Sequence, residues 1–389
     1  MNILFLSADN PENVSFGGGQ RTNLIWKTLN EIGDVYTVYY SETEQKQHSS
    51  KIWCVKWAPY TNPIGRFLFY CWKRIENKYA ILQLGPMPYK AEKSISELYP
   101  NVKFDVVVAR YLFDIAKLHL WNYPKVYVDI DDHPIEKFNT FLGQYLSPST
   151  KKISRFLIRL QLRFFEGKMT AGWVSNANQT TWFHQKDLVK SLPNVTMPIN
   201  SNYKKDAERK CKIITVGALS YAPNFMGVDK FITDVWLKLK HEYPQLEYHI
   251  IGKGTPESYS VKWQNIDGVY VRGFVEDLDK EYEECLAAVV PIYSGGGTCI
   301  KTLESMSHFR ICLASPFGAR GMDKAVNNQS IGLFVFNNAS DFIKSMKDYV
   351  MNDEVRKELE KNAANYIEEH HSISTFKTII KETLLTNNQ

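Results

Sequence analysis

The sequence has no Cys-x-x-Cys pair, no long apolar run and no low-complexity tract. Each absence removes a class of protein. The six cysteines are scattered along 389 residues, which reads as reduced thiols rather than a disulfide frame or a zinc site. No stretch reaches the roughly 18–20 apolar residues that a bilayer-crossing helix needs. The start, Met1-Asn-Ile-Leu-Phe-Leu-Ser-Ala-Asp9, has no basic leader. It reads as a buried first strand and not as a signal peptide. A cytoplasmic protein is therefore expected.

The composition that remains is globular, with 44% hydrophobic and 23% charged residues. The length exceeds one comfortable core and predicts two or three domains. The net charge of +5 is unevenly placed. Residues 1–200 hold 24 Lys/Arg against 17 Asp/Glu, or +7, and the remainder holds 23 against 25, or −2. The basic half should draw an anionic partner. No nucleic-acid reader motif is visible, so phospholipid or a lipid-linked diphosphate fits better than nucleic acid.

Short β-branched runs at 2–7, 35–40, 51–57, 105–109, 126–130 and 172–175 alternate with amphipathic segments. A second series follows at 212–216, 247–252, 269–272, 287–291, 310–314 and 332–334, with helices predicted over 227–240, 278–285, 297–306 and 340–351. Such βα alternation implies parallel sheets faced by helices. The Pro- and Asn-rich segment 192–203 is the predicted hinge. The expected domains are 1–200 and 201–365, with a C-terminal helix over 366–389 that packs back on the first; the segment Val355–Leu385 is strongly helical, with a break around His371–Ser374.

The strongest chemical signal is Val290-Pro-Ile-Tyr-Ser-Gly-Gly-Gly-Thr-Cys-Ile-Lys-Thr-Leu-Glu304. A strand ends, a glycine run follows, and a helix is predicted from near Thr298. Gly295, Gly296 and Gly297 permit close backbone approach to a ligand, and a helix N-terminus suits a diphosphate. Lys301 is placed one turn inside the helix and Glu304 two turns inside, where its carboxylate suits a ribose diol. The bland alternative is a glycine-rich turn with a surface Lys and Glu.

Three neighbours strengthen the signal: Val216-Gly-Ala-Leu-Ser-Tyr-Ala-Pro-Asn-Phe-Met-Gly227, Ile250-Ile-Gly-Lys-Gly254 and Val269-Tyr-Val-Arg-Gly-Phe-Val-Glu-Asp277. Each is a strand followed by a small-residue turn, where ligands of open α/β sheets collect. With Phe317-Gly-Ala-Arg-Gly321, the order and spacing resemble the retaining glycosyltransferases of family 4. The likeness covers most of 210–325 and extends weakly to Gly17-Gly-Gly-Gln-Arg21.

This resemblance implies an α/β protein of GT-B fold, two Rossmann-like domains facing each other across a cleft. It implies a nucleotide-sugar donor with UDP or GDP, a glycan or lipid-linked acceptor, and neither a metal nor a cofactor. The base would rest on Phe274 and Val275, and Glu304 would take the ribose. Gly296, Gly297 and Thr298 would hold the diphosphate with Lys301. Gly217, Asn224 and Arg272 belong to the supporting loops, and a loop at Gly17, Gly18 and Gly19 would close on the donor. The chain departs from the family where Glu-x7-Glu usually stands, because Gly296 replaces the first Glu. The loop after residue 216 also lacks the Arg and Lys that relatives often carry there.

Outside the resemblance, Gly17-Gly-Gly-Gln-Arg21 fails the dinucleotide spacing. Asp129-Ile-Asp-Asp-His133 holds an Asp-x-Asp, but far in sequence from the nucleotide signals. His133 follows a strand and suits polarising an acceptor hydroxyl or touching the donor sugar; a capping role for the next segment stays open. Arg110 ends the preceding strand and suits the same catalytic role, its alternative being a surface ion pair with a nearby acid such as Asp132 or Asp114. Residues 151–168 form a basic amphipathic helix suited to peripheral contact with an anionic membrane at its inner face, or to a core-packed helix with a solvated basic face. Two other function classes stay open, a nucleotide-sugar epimerase and a non-catalytic nucleotide-sugar-binding subunit.

Overall fold

The computed structural model describes the chain except residues 15–16, 42–44, 60–61, 80–88, 92–93, 113–114, 116–122, 144, 186, 197, 295–297 and 387–389. The chain divides into two compact units, Met1–Pro193 with Phe376–Gln389, and Asn194–Thr375. The boundary falls inside the Pro- and Asn-rich segment, seven residues before the expected one.

The first unit is built on nine strands among the described residues. They are β1 (Asn2–Ser7), β2 (Asp34–Ser41), β3 (Lys46–Ser49), β4 (Ile52–Pro59), β5 (Tyr89–Ala91), β6 (Val106–Arg110), β7 (Val126–Asp131), β8 (Ala171–Val174) and β9 (Val189–Ser191). Their order is β3-β4-β2-β1-β6-β7-β8-β9, with β5 on β4. All pairs are parallel except β3–β4 and β4–β5. The central strands are apolar without alternation because helices cover both faces; Ile3 to Leu6 and Val106 to Ala109 are all fully buried.

The second unit is a parallel sheet of β10 (Lys212–Val216), β11 (Glu247–Ile251), β12 (Val269–Gly273), β13 (Ala287–Val290), β14 (Ile311–Ala314) and β15 (Leu333–Val335). Its order, β12-β11-β10-β13-β14-β15, reverses direction between β10 and β13. That reversal opens a crevice at the carboxyl ends of these two strands, the place where open α/β sheets bind ligands. Trp236, Tyr248, Trp263 and Phe231 fill the core on one face of this sheet.

The C-terminal segment is two helices, Asp353–His370 and Ile373–Thr386, separated near the break expected around His371–Ser374. Asn352 caps the first through the Val355 N–H. From Phe376 onward the second belongs to the first unit. There Phe376 is fully buried, Thr383 lies 3.4 Å from the Trp173 ring nitrogen, and Lys381 pairs with Glu31 at 2.8 Å.

Candidate nucleotide site and a buried ion network

Gly217, Asn224 and Lys301 meet at the reversal point of the second sheet. A Cβ on Gly217 would lie 2.4 Å from Lys301 Cε and 3.3 Å from Asn224 Nδ2. Asn224 is buried and donates to the Ala218 carbonyl at 2.6 Å, fixing the turn after β10. Lys301 makes no ion pair among the described residues, so its ammonium remains available to an anion.

The strand ends are shaped by glycines. Gly252 sits at φ +144, and a Cβ there would stand 1.7 Å from the Gly217 carbonyl oxygen. Its N–H donates to Gly273 at 2.7 Å, and Gly273 itself is at φ +67. A shallow groove of about 440 Å³ runs along Gly252–Thr255 and Val271–Phe274. The N–H groups of Phe274 and Val275 carry no backbone hydrogen bond among the described residues. Phe274 is 62% exposed, with Lys253 Nζ 4.1 Å from its ring centroid, and Val275 packs against the cluster around Tyr282. Arg272 points elsewhere, pairing with Glu281 at 3.3 Å and touching His249 at 3.2 Å.

The helix expected from near Thr298 is Ile300–Ser307. Cys299 precedes it and provides no side-chain cap. Lys301 is thus its second residue and Glu304 its fifth, each closer to the N-terminus than the sequence suggested. The helix is tied to the following turn, because Thr302 Oγ1 donates to the Gly318 carbonyl at 2.6 Å and Gly318 N–H donates to Ser315 Oγ at 3.1 Å. Thr298 is buried and its hydroxyl has no partner among the described residues. Gly321, at φ +81, leaves room for it, since a Cβ would come within 2.5 Å of that oxygen. Gly295, Gly296 and Gly297 lie outside the described residues.

Glu304 is half-buried. Tyr282 Oη donates to Glu304 Oε2 at 3.3 Å, and the Tyr282 ring stacks on His308 at 4.3 Å. His308 in turn bridges the Glu304 carbonyl and the Asp279 carboxylate, at 2.7 and 2.9 Å. Burial raises the Glu304 carboxyl above its ordinary range, against the pull of His308, Tyr282 and Lys301. A carboxylate held in a desolvated position gains from further hydrogen-bond donors beyond Tyr282, such as a ribose diol carries. Tyr282 and His308 escaped the sequence reading; no motif spacing marks them.

In the first unit, Gly17, Gly18 and Gly19 are not a loop. They form the first turn of the helix Gly17–Asn30, and Thr22 Oγ1 donates back to the Gly18 carbonyl at 2.8 Å. Arg110 is fully buried rather than in a surface pair. It donates to Asp129, to Asp131 at 3.3 Å and to Thr22 Oγ1 at 3.1 Å. Arg21 grips Asp129 with two bonds of 2.8 and 2.7 Å. Burial works to raise the Asp129 pKa, but the Arg21 and Arg110 guanidiniums hold it below the usual range. The Asp-x-Asp carboxylates are thus committed to two arginines. Tyr111 and Asp131, at the adjoining strand ends, adopt positive φ of 69 and 66, a costly conformation for non-glycine residues.

His133 caps the helix Pro134–Lys137, its Nδ1 accepting from Ile135 N–H at 3.2 Å. The His133 backbone N–H donates to Gln179 Oε1 at 2.7 Å, and Trp182 and Phe183 pack edgewise on the ring. Burial, and secondarily the Arg159 charge, lower its pKa to about 4.

Residues 210–352 match the family model described as Glycosyl transferases group 1. An uncharacterized 44.6 kDa protein in the cps region of Klebsiella pneumoniae is 21% identical over 402 residues, spanning 98% of this chain and 99% of that protein. The crystal structure of HepE from Anabaena in complex with UDP aligns over 99% of this chain and 100% of its own, with TM-score 0.62 and 13% identity. TarM, from S. aureus, aligns over 72% of this chain with TM-score 0.55 and 16% identity, and the chain spans about half of TarM's length, 54%. The two α/β units have the GT-B fold of glycosyltransferases. Residues 210–352 thus resemble a glycosyl transferases group 1 domain.

Proposed function

We propose that the chain transfers a sugar, with retention of anomeric configuration and without a metal, from a UDP- or GDP-sugar to a glycan or lipid-linked acceptor. The observation that carries this reading is the meeting of Lys301, Gly217 and Asn224 at the reversal point of the second sheet, one helical turn from the half-buried Glu304. Lys301 and the N–H groups opening the Ile300–Ser307 helix would stabilise the negative charge that grows on the departing diphosphate. The unpaired Thr298 hydroxyl and the glycine run before it would complete the cradle. Glu304 would accept from the ribose hydroxyls. Arg272, held by Glu281, would shape the strand end and not touch the donor.

In the first unit, Arg110 and Arg21 would act as positioning residues that fix the carboxyl ends of β6 and β7. His133 would order the turn after β7. The cps-region relative and the UDP bound by HepE support a role in capsule or cell-envelope polysaccharide assembly with a uridine donor. Peripheral attachment to an anionic membrane is supported by exposed Ile64, Phe67, Leu68, Ile153 and Phe164 on two packed helices beside Lys151, Lys152 and Arg155. No helix among the described residues is long and apolar enough to cross a membrane.

Calorimetry with UDP and GDP tests the site. Glu304→Ala should weaken nucleotide binding roughly tenfold or more, the loss of hydrogen bonds to a charged group, with the chain still folded. Unchanged affinity would remove Glu304 from the site. Flotation with anionic liposomes at low salt tests the membrane contact, and absence of co-migration would exclude it.

A further inference from the structure

The first unit carries a groove of about 630 Å³ that no step of the proposed transfer uses. Ile135, Phe156, Leu160 and Trp182 form its apolar wall. Phe156, Leu160 and Trp182 are 59, 47 and 49% exposed, open apolar surface that a ligand's hydrocarbon chain can cover.

The charges on its rim are of one sign where they are free. Arg159 and Arg163 line the groove from the helix Pro148–Glu166, four residues apart and so on one face. The one carboxylate in the lining, Glu166, is buried and accepts from the Gln185 N–H at 3.0 Å.

His133 borders the same groove and is 3% exposed. Because its Nδ1 accepts from Ile135 N–H, that nitrogen holds the lone pair. The neutral ring then carries its proton on Nε2. Nε2 is buried and has no partner among the described residues. A buried N–H donor without an acceptor is unfavourable, and it points to a ligand oxygen.

We propose that this groove binds a single amphiphilic anion, a phosphate or phosphodiester on an apolar chain. The chain would lie against Phe156, Leu160 and Trp182. An anionic oxygen would sit between Arg159 and Arg163, and another would accept from His133 Nε2. The occupant is a lipid molecule and not free phosphate, because the wall is apolar along the groove and the cations stand at its rim. The proposal needs neither the glycosyl-transfer reading nor the nucleotide site.

Titration calorimetry of the full chain with dodecyl phosphate, below its micelle-forming concentration, tests it. The expected result is saturable binding of one molecule per chain. Inorganic phosphate and dodecyl maltoside should each bind at least roughly tenfold more weakly, since each lacks half of the recognised chemistry. The double variant Arg159→Gln, Arg163→Gln should lose roughly tenfold or more, with UDP affinity unchanged. His133→Asn keeps an N-cap acceptor and removes the Nε2 donor, so it should weaken dodecyl phosphate severalfold while remaining folded. In the wild-type chain the ¹⁵N resonance of His133 Nε2 should move on saturation. Equal binding of dodecyl maltoside, binding of phosphate alone with the same affinity, or no response to the arginine substitutions would each overturn the proposal. Failure to bind dodecyl phosphate at all would overturn it too.

Discussion

Arg110 and Asp129 are register partners on neighbouring parallel strands, β6 and β7, and both side chains are wholly withdrawn from water. Their meeting is dictated by the sheet, because residues opposite one another at strand ends must share whatever space the covering elements leave. Arg21 enters from the helix Gly17–Asn30 to complete the pairing, and its guanidinium stacks over Phe376, 5.4 Å from the ring centroid.

Asp129→Asn tests how far the first unit depends on this charge. The substitution preserves shape but leaves two buried guanidiniums facing a neutral amide. Breaking a buried pair from one side costs about 3–5 kcal/mol. Urea denaturation should show a loss of that order. A change below about 1 kcal/mol, typical of exposed pairs, would mean that water reaches the network.

Much of the fold was legible because both sheets are buried on two faces. Continuous apolar runs such as Ile3 to Leu6 and Ala287 to Val290 declare themselves as strands. β3, with the sequence Lys-Gln-His-Ser, is exposed throughout and carries no such signal. The glycine spacing after β11 and β12 was equally readable, since positive φ leaves a compositional trace at Gly252, Gly254 and Gly273. Gly17–Gly19 misled for the converse reason; glycine permits a loop but does not require one, and the helix-forming residues after Arg21 extend back over it. The support for Glu304 could not be read at all. Tyr282 and Asp279 come from the helix Leu278–Glu284, His308 caps the helix that carries Glu304, and only the folded unit brings the two helices together.

Two glycines at the nucleotide site should respond oppositely to alanine. At Gly252 the new methyl would strike the Gly217 carbonyl, a backbone atom, and φ is +144. A loss of about 2 kcal/mol or more is expected in thermal or urea unfolding. At Gly217 the obstruction is Lys301 Cε, the end of a flexible chain that can move away. Gly217→Ala should stay within about 1 kcal/mol of wild type, yet weaken UDP or GDP binding by displacing the lysine. Equal destabilisation by both would show that Lys301 is held rigidly for structural reasons.

Acid should destabilise the first unit through His133. Its folded pKa of about 4 lies below the ordinary 6.5. Between these values the unfolded chain binds more protons than the folded one, so stability rises with pH across this window. The contribution is complete above pH 6.5 and is lost as pH falls toward 4. The shift corresponds to about 3 kcal/mol at most. His249 and His371, also lowered by burial, slope the same way. The informative measurement is therefore wild type minus His133→Asn, and a difference that stays flat from pH 7 to pH 4 would contradict a neutral, buried imidazole.

Lys301 and Glu304 should separate kinetically. Lys301→Met removes a charge that matters most when the diphosphate departs, so kcat should fall by about 10²-fold with a smaller change in KM. Glu304→Gln acts on binding instead. Its folded pKa is raised by burial, so between its ordinary and raised values the unfolded chain is ionised while the folded one is not. Stability from this group is present at low pH and is lost as pH rises through the folded value. Removing the charge should therefore hold or slightly raise stability at neutral pH, by up to about 1 kcal/mol, while nucleotide affinity falls roughly tenfold. A site selected for ligand rather than for stability behaves in this way. If Glu304→Gln instead lowers stability and spares affinity, the carboxylate serves Tyr282 and His308, and the ribose must be held elsewhere.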